Sequence, residues 1–261
     1  MNNTLHFVDS HCHIDAPVFN DIASTLAVCR AQGVQDIVVP GLYEAQWQTL
    51  RKLADEHTVL HIACGRHPWW IGENDDLSIF AQALLENAEA SCCVAIGETG
   101  IDGLRGVDVN LQQRWFEQHL KVAEALNKPI VVHAVRAHPL IQRTLAKYKG
   151  LVRGVIHGFS GSPELAQQYW KLGFHLGIGG TITYPRGSKT QQAVKALPLE
   201  AIVLETDAPD MPLQGRQGQP NHPVRVLDVA ARVAELRQEP LNVIAHQTTA
   251  NSQRLFDLVS Q

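Results

Sequence analysis

Leu5-His6-Phe7-Val8-Asp9-Ser10-His11-Cys12-His13 opens the chain with a short apolar run that ends on two histidines. Along an extended backbone, side chains at i and i+2 share a face. His11 and His13 are therefore spaced to grip one cation from the end of a strand. Cys12, between them, points to the opposite face and reads as a small buried apolar residue. The same stretch decides the fold. A doubly wound open sheet places a glycine-rich phosphate loop after its first strand, and Ser10-His11-Cys12-His13 holds no glycine.

Working outward, apolar and β-branched runs recur at residues 5–9, 36–40, 60–65, 93–98, 129–133, 151–157, 174–178 and 201–205. Helical spacing fills the gaps. Trp47, Leu50, Leu53 and Ala54 mark a helix over 45–56, and Leu111, Trp115, Leu120, Val122, Ala123 and Leu126 mark another over 111–126. Ser162-Pro163-Glu164 reads as an N-cap with proline at the first helical position. Eight strands alternating with helices predict an α/β fold, a (β/α)8 TIM-type barrel, as a single domain over residues 1–261. Helices at 224–238 and 241–258 close the chain, and the polar stretch 214–221 is placed to form a lip over the site.

Composition narrows the class. Of 261 residues 45% are hydrophobic and 18% charged, which supports a large core and excludes a disordered chain. A net charge of −4 gives no general pull toward nucleic acid, so a phosphate substrate has to be drawn by bound metal and local arginines. The five cysteines include no C-x-x-C pair, which argues against a disulfide framework or zinc knuckle. No apolar run reaches ~18 residues and no signal-peptide core opens the chain, so a cytoplasmic location without membrane contact is expected; a monomer is expected as well.

Barrel active sites sit at the C-terminal ends of the strands. His11 and His13 close strand 1, Glu98 closes strand 4, His133 strand 5 and His157 strand 6, and Asp207 follows strand 8. Four imidazoles and two carboxylates exceed one tetrahedral ion. They suit two divalent cations (Zn, Mg or Mn) about 3.5–4 Å apart with a shared carboxylate. Glu98 is the natural bridge: His11, His13, Glu98 and Asp207 serve one metal, and Glu98, His133 and His157 the other. His6, His57, His61, His119, His175 and His246 read as packing or surface residues.

Six blocks now form a pattern: Asp9-Ser10-His11-Cys12-His13, Gly65-Arg66-His67-Pro68-Trp69, Ile96-Gly97-Glu98-Thr99-Gly100-Ile101-Asp102, Pro129-Ile130-Val131-Val132-His133, His157-Gly158-Phe159-Ser160-Gly161-Ser162 and Leu204-Glu205-Thr206-Asp207-Ala208-Pro209. In these blocks and their order the chain resembles the TatD-type metal-dependent deoxyribonucleases over nearly its full length, and among them the YjjV-like branch. The resemblance implies a (β/α)8 barrel, a divalent-metal site on the same six ligands and hydrolysis of phosphodiester bonds in nucleic acid or a small phosphate ester. Three places depart from the family pattern. Gly158 stands where cysteine is frequent, Asn221-His222-Pro223 replaces an Asn-Glu-Pro block, and Ala134-Val135-Arg136-Ala137-His138 keeps the arginine but loses an acidic patch.

In the expected mechanism Glu98 and Asp207 are the catalytic carboxylates, with Asp207 orienting the attacking water and accepting its proton. His67 and Arg136 are candidate phosphate contacts, and Arg66 is a structural ion-pair partner. Asp102 either holds a ligand in place or is an ordinary loop carboxylate, and Trp69 and Trp70 either stack on a base or form a packed corner. The nearest alternative is an amidohydrolase acting on an amide, lactone or cyclic ureide. Many of those bridge their metals with a carboxylated strand-4 lysine, where this chain has Glu98. A non-catalytic metal-binding protein would need a closed coordination shell, which six ligands over two ions do not supply.

Overall fold

The computed structural model describes residues 5–258; the first residues on which the expectation of no leader rests lie outside that range. The strands are β1 (Phe7–Asp9), β2 (Val34–Pro40), β3 (Leu60–Cys64), β4 (Cys93–Asp102), β5 (Ile130–Val135), β6 (Gly154–Ile156), β7 (Phe174–Ile178) and β8 (Ile202–Leu204). The helices are α1 (Ile22–Ala31), α2 (Glu44–Glu56), α3 (Leu77–Ala88), α4 (Val109–Leu126), α5 (His138–Ala146), α6 (Pro163–Lys171), α7 (Ser188–Ala196), α8 (Val226–Arg237) and α9 (Leu241–Phe256). Eight parallel strands follow one another in the sheet in chain order and alternate with helices, which is the (β/α)8 TIM-type fold. No helix of the described residues is long and apolar enough to cross a membrane.

The helix starts are chemically defined. Asp21, Asp76 and Asp108 each accept the backbone N–H of a residue two or three positions on, satisfying donors that a helix start leaves open. Ser162 Oγ does the same for Leu165 N at 3.3 Å, as its place before Pro163 predicts.

The chain packs as two compact units. One comprises the described residues of Met1–Val39, Gly158–Trp170 and His175–Gln261. Here α9 lies against β1 and β8. The buried amide of Asn251 donates to Leu199 O at 2.8 Å and Ile202 O at 2.7 Å, holding the helix to the start of β8. The other unit comprises Pro40–His157 and Lys171–Phe174. In it α4 buries Trp115, Phe116, Leu120 and Ala123 and packs on β4. Arg66 meets its expectation as a structural residue: it pairs with Glu44 and Asp75, and its guanidinium lies 4.6 Å from the Trp115 ring centre. Below it, buried His119 accepts Arg66 N–H at Nε2 (3.0 Å), and its Nδ1–H donates to Trp115 O (2.7 Å).

Two boundaries differ from the sequence reading in a way that bears on the site. Strand 4 does not stop at Glu98 but runs on to Asp102. Its register on β5 shifts between Ile96 and Thr99, after which Gly100 pairs with His133 and Asp102 with Val135. Glycine is needed there: Gly100 has φ +145°, and a Cβ would lie 2.0 Å from His133 O. Strand 6 begins only at Gly154, because Leu151 N and Val152 N both return to Tyr148 O in a turn that leaves Leu151 exposed.

Candidate metal-binding clusters

The first cluster grows from the end of β1. After Asp9 the chain stays extended enough for Cys12 to bridge Ala208, with Cys12 N bonded to Val38 O at 3.1 Å and His13 N to Ala208 O at 2.7 Å. Asp207 N donates in turn to His11 O at 2.9 Å. These bonds carry His11, His13 and Asp207 into one group, although all three lie just past the strand ends. The Nε2 atoms of His11 and His13 stand 3.3 Å apart, and Asp207 Oδ1 is 3.4 Å from the first and 3.7 Å from the second. Two ring nitrogens and a carboxylate oxygen at such separations form a donor set that a divalent cation fits.

Three residues outside the expected site hold this group. Asp9, fully buried, accepts Thr206 N–H, the Thr206 hydroxyl and His11 N–H. Burial pushes its carboxyl well up, against the lowering effect of those bonds. Asn221, from a block that departs from the family pattern, donates to Thr206 O at 2.8 Å. Glu205 Oε1 accepts the N–H of Gly158, another of the three departures, at 2.5 Å. Cys12 is buried as expected, and burial raises its thiol well above the ordinary range, so it remains protonated between the two histidines. All five cysteines are free thiols.

The second cluster centres on Glu98, almost fully buried on β4. Its Oε1 lies 2.8 Å from His157 Nε2, 2.9 Å from His133 Nδ1 and 3.4 Å from His67 Nε2. His133 Nδ1 is 3.2 Å from both other imidazole nitrogens. His67, a candidate phosphate contact, lies with Glu98 and His133 in a group whose donor atoms are all within 4.8 Å of one another and which could hold a metal ion. Its Nδ1 accepts Trp69 N–H at 3.1 Å, which turns Nε2 toward Glu98. Arg136, the other phosphate candidate, is exposed one residue beyond β5, in contrast to this buried group.

Asp102 is not a free loop carboxylate but a buried partner of His133 and Trp69. It is buried, and its Oδ2 lies 3.3 Å from His133 Nε2. A proton on Nε2, facing that carboxylate, would leave Nδ1 free to face Glu98. Burial works to raise the Asp102 pKa, but the bonds from His133, Leu104 N–H and the Trp69 indole outweigh it and hold the carboxyl well below the ordinary range. On His133 burial acts downward, and the contacts to Asp102 and Glu98 outweigh it in the raised direction. Trp69 is half-exposed and donates its indole N–H to Asp102 Oδ2 at 2.7 Å. Trp70, equally exposed, rests on Tyr43 with ring centres 4.4 Å apart.

A (β/α)8 fold thus carries clusters of His, Glu and Asp donors that could hold metal ions. The family model described as TatD related DNase matches residues 8–257, and the chain belongs to that family. It is 40% identical to the uncharacterized metal-dependent hydrolase YjjV of Escherichia coli (strain K12), over 97% of this chain and 98% of the relative. It is 36% identical to an uncharacterized metal-dependent hydrolase of Haemophilus influenzae, over 97% of this chain and all of the relative (100%). The crystal structure of YjjV, a TatD homologue, superposes with a TM-score of 0.89, covering 97% of this chain and 98% of that one. A TatD-family hydrolase from Entamoeba histolytica, 17% identical, shares the fold with a TM-score of 0.85 over 97% of this chain and 98% of that chain.

Proposed function

We propose that this protein hydrolyses phosphodiester bonds of nucleic acid, with DNA as the first substrate class, using two divalent cations. The observation that carries the reading is the convergence of three imidazole nitrogens on Glu98 Oε1 within 3.4 Å, inside a buried group. Neutral imidazoles and a carboxylate suit Zn²⁺ and Mn²⁺, and Mg²⁺ more weakly. His11, His13 and Asp207 would hold one cation; Glu98, His133 and His157 would hold the other, with His67 in range of it.

Cations bound there would supply charge stabilisation to phosphoryl oxygens and make a water more acidic. The remaining work falls to side chains. Asp207 orients the attacking water and takes its proton at a carboxylate oxygen. Glu98 keeps the imidazoles of its cluster aligned on one oxygen. Asp102 holds the proton of His133 at Nε2, and Asp9 fixes the backbone on either side of His11 and Asp207. Arg136 contacts a phosphate oxygen from the exposed end of β5, as His67 does where it is not engaged by a cation. The chain acts as a single hydrolase domain and as a monomer. Its free cysteines, four buried and one partly so, suit the reducing cytoplasm.

Glu98 in the strand-4 position separates this reading from an amidohydrolase built on a carboxylated lysine. The test is a substrate panel. Protein loaded with Mn²⁺ or Zn²⁺ is offered single-stranded oligonucleotides beside amides, lactones and cyclic ureides. Phosphodiester turnover with no amide or lactone cleavage is expected, and the reverse preference would overturn the assignment.

A further inference from the structure

Two core tryptophans, Trp47 and Trp115, are buried at 2% and 1% exposed. Trp69 is 49% exposed yet held from several sides. Its indole N–H is anchored on Asp102, its ring centre lies 4.8 Å from that of His67 and 6.3 Å from that of His133, and the Arg105 guanidinium sits over it at 4.9 Å. An indole fixed this way has already lost its side-chain freedom, so a ligand stacking on it meets a small ordering cost.

The loop that brings Arg105 is equally fixed. Asp102 Oδ1 accepts the N–H groups of Leu104 (2.7 Å) and Arg105 (3.1 Å). Buried Gln112 donates to the carbonyls of Asp102, Arg105 and Val107 and accepts Asp102 N–H. Gly106 has φ +87°, and a Cβ on it would lie 2.8 Å from Pro68 O, so the loop closes directly on the turn that carries Trp69. Leu104 extends the surface with another exposed apolar side chain.

We propose that Trp69 and Arg105 form a stacking shelf for the nucleobase next to the phosphate held at the Glu98–His133 cluster. The proposal rests on the phosphodiesterase reading and narrows its substrate class to base-bearing nucleotides rather than simple phosphate esters. The indole supplies a π-face, which every base can use. Arg105 adds a second planar surface and a positive charge in a chain whose net charge is −4. Asp102 then serves both ends of the substrate, setting the tautomer of His133 and the plane of Trp69.

The test is a binding measurement, independent of turnover. Calorimetry compares 2′-deoxyadenosine 5′-phosphate with 2-deoxyribose 5-phosphate on the Mn²⁺-loaded protein. The base is expected to tighten binding about 5- to 150-fold, the range that one stacked base supports. Trp69→Ala is expected to bring that ratio to about 1, and Trp69→Phe, which keeps a flat ring but no N–H, to retain most of it. Arg105→Ala, at an exposed position that leaves folding intact, should lower the ratio at least ~3-fold. Equal affinity for the two ligands in the parent protein, or a ratio unchanged in Trp69→Ala and Arg105→Ala, overturns the shelf. Phosphodiester cleavage with no base preference removes this proposal alone. Base preference without phosphodiester cleavage removes only the functional reading.

Discussion

Thr206 and Asp9, 197 positions apart, meet through a buried carboxylate: Oδ1 takes the Thr206 N–H at 2.9 Å and Oδ2 the Thr206 hydroxyl at 2.6 Å. Asp9 also accepts His11 N–H, so one side chain ties together the backbone segments bearing His11 and Asp207. Losing a donor to a buried carboxylate costs about 1–3 kcal/mol. Thr206→Val, which keeps the shape and removes the hydroxyl, is expected to lower unfolding free energy by that amount in urea titrations and to weaken cation binding. Unchanged stability and unchanged cation affinity would show that the tie is dispensable.

Asp102→Ala tests how His133 is held. Partners of ligating histidines typically contribute ~10–100-fold in metal affinity. Competition against a chromogenic chelator should show a loss of that size for one cation per chain. Retention of full affinity would mean that His133 keeps its orientation without Asp102.

Buried His119 gives a pH dependence. Burial, with the neighbouring Arg66 charge, holds its imidazole down to about 4, from 6.5 in an unfolded chain. Between those values the unfolded state binds more protons, so stability is full above about pH 6.5 and falls as pH drops toward 4. The full shift corresponds to roughly 3 kcal/mol. His119→Gln should lower stability at neutral pH and flatten this acid limb in denaturant titrations. An acid limb as steep as that of the parent would assign it to other groups.

Gly100→Ala puts a methyl against the backbone of β5 at a positive φ. Strained backbone and overpacking each cost ~1–3 kcal/mol, so a loss of at least ~2 kcal/mol is expected on chemical denaturation. A substitution neutral in stability would mean that β4 and β5 can move apart at this point.

The clustered histidines and carboxylates were legible because such residues recur just after apolar runs, and that position survives errors of a residue or two in strand ends. The continuation of β4 was not, since Gly97 and Gly100 look like chain breakers in sequence, whereas the fold uses them to shift register and continue to Asp102. His67 sits in a Gly-Arg-His-Pro turn whose direction depends on the Trp69 N–H bond, a local geometry that spacing does not encode. Trp69 itself could be read as packing or as a base contact; its anchor on Asp102 joins residues 33 apart and becomes visible only after folding. Asp9 reads in sequence as the end of a strand, with nothing there to link it to Thr206.

The proposed role of these carboxylates and imidazoles is to hold cations that drive phosphodiester hydrolysis. Its most direct test is the cleavage rate of a single-stranded DNA oligonucleotide by chelator-treated protein before and after adding back Mn²⁺, for the parent chain and for Glu98→Ala and Asp207→Asn. No cleavage is expected without metal, with full recovery of the parent on Mn²⁺ and at least a ~10²-fold deficit in each variant. Cleavage that persists without metal, or variants that recover to within about twofold of the parent, would contradict it.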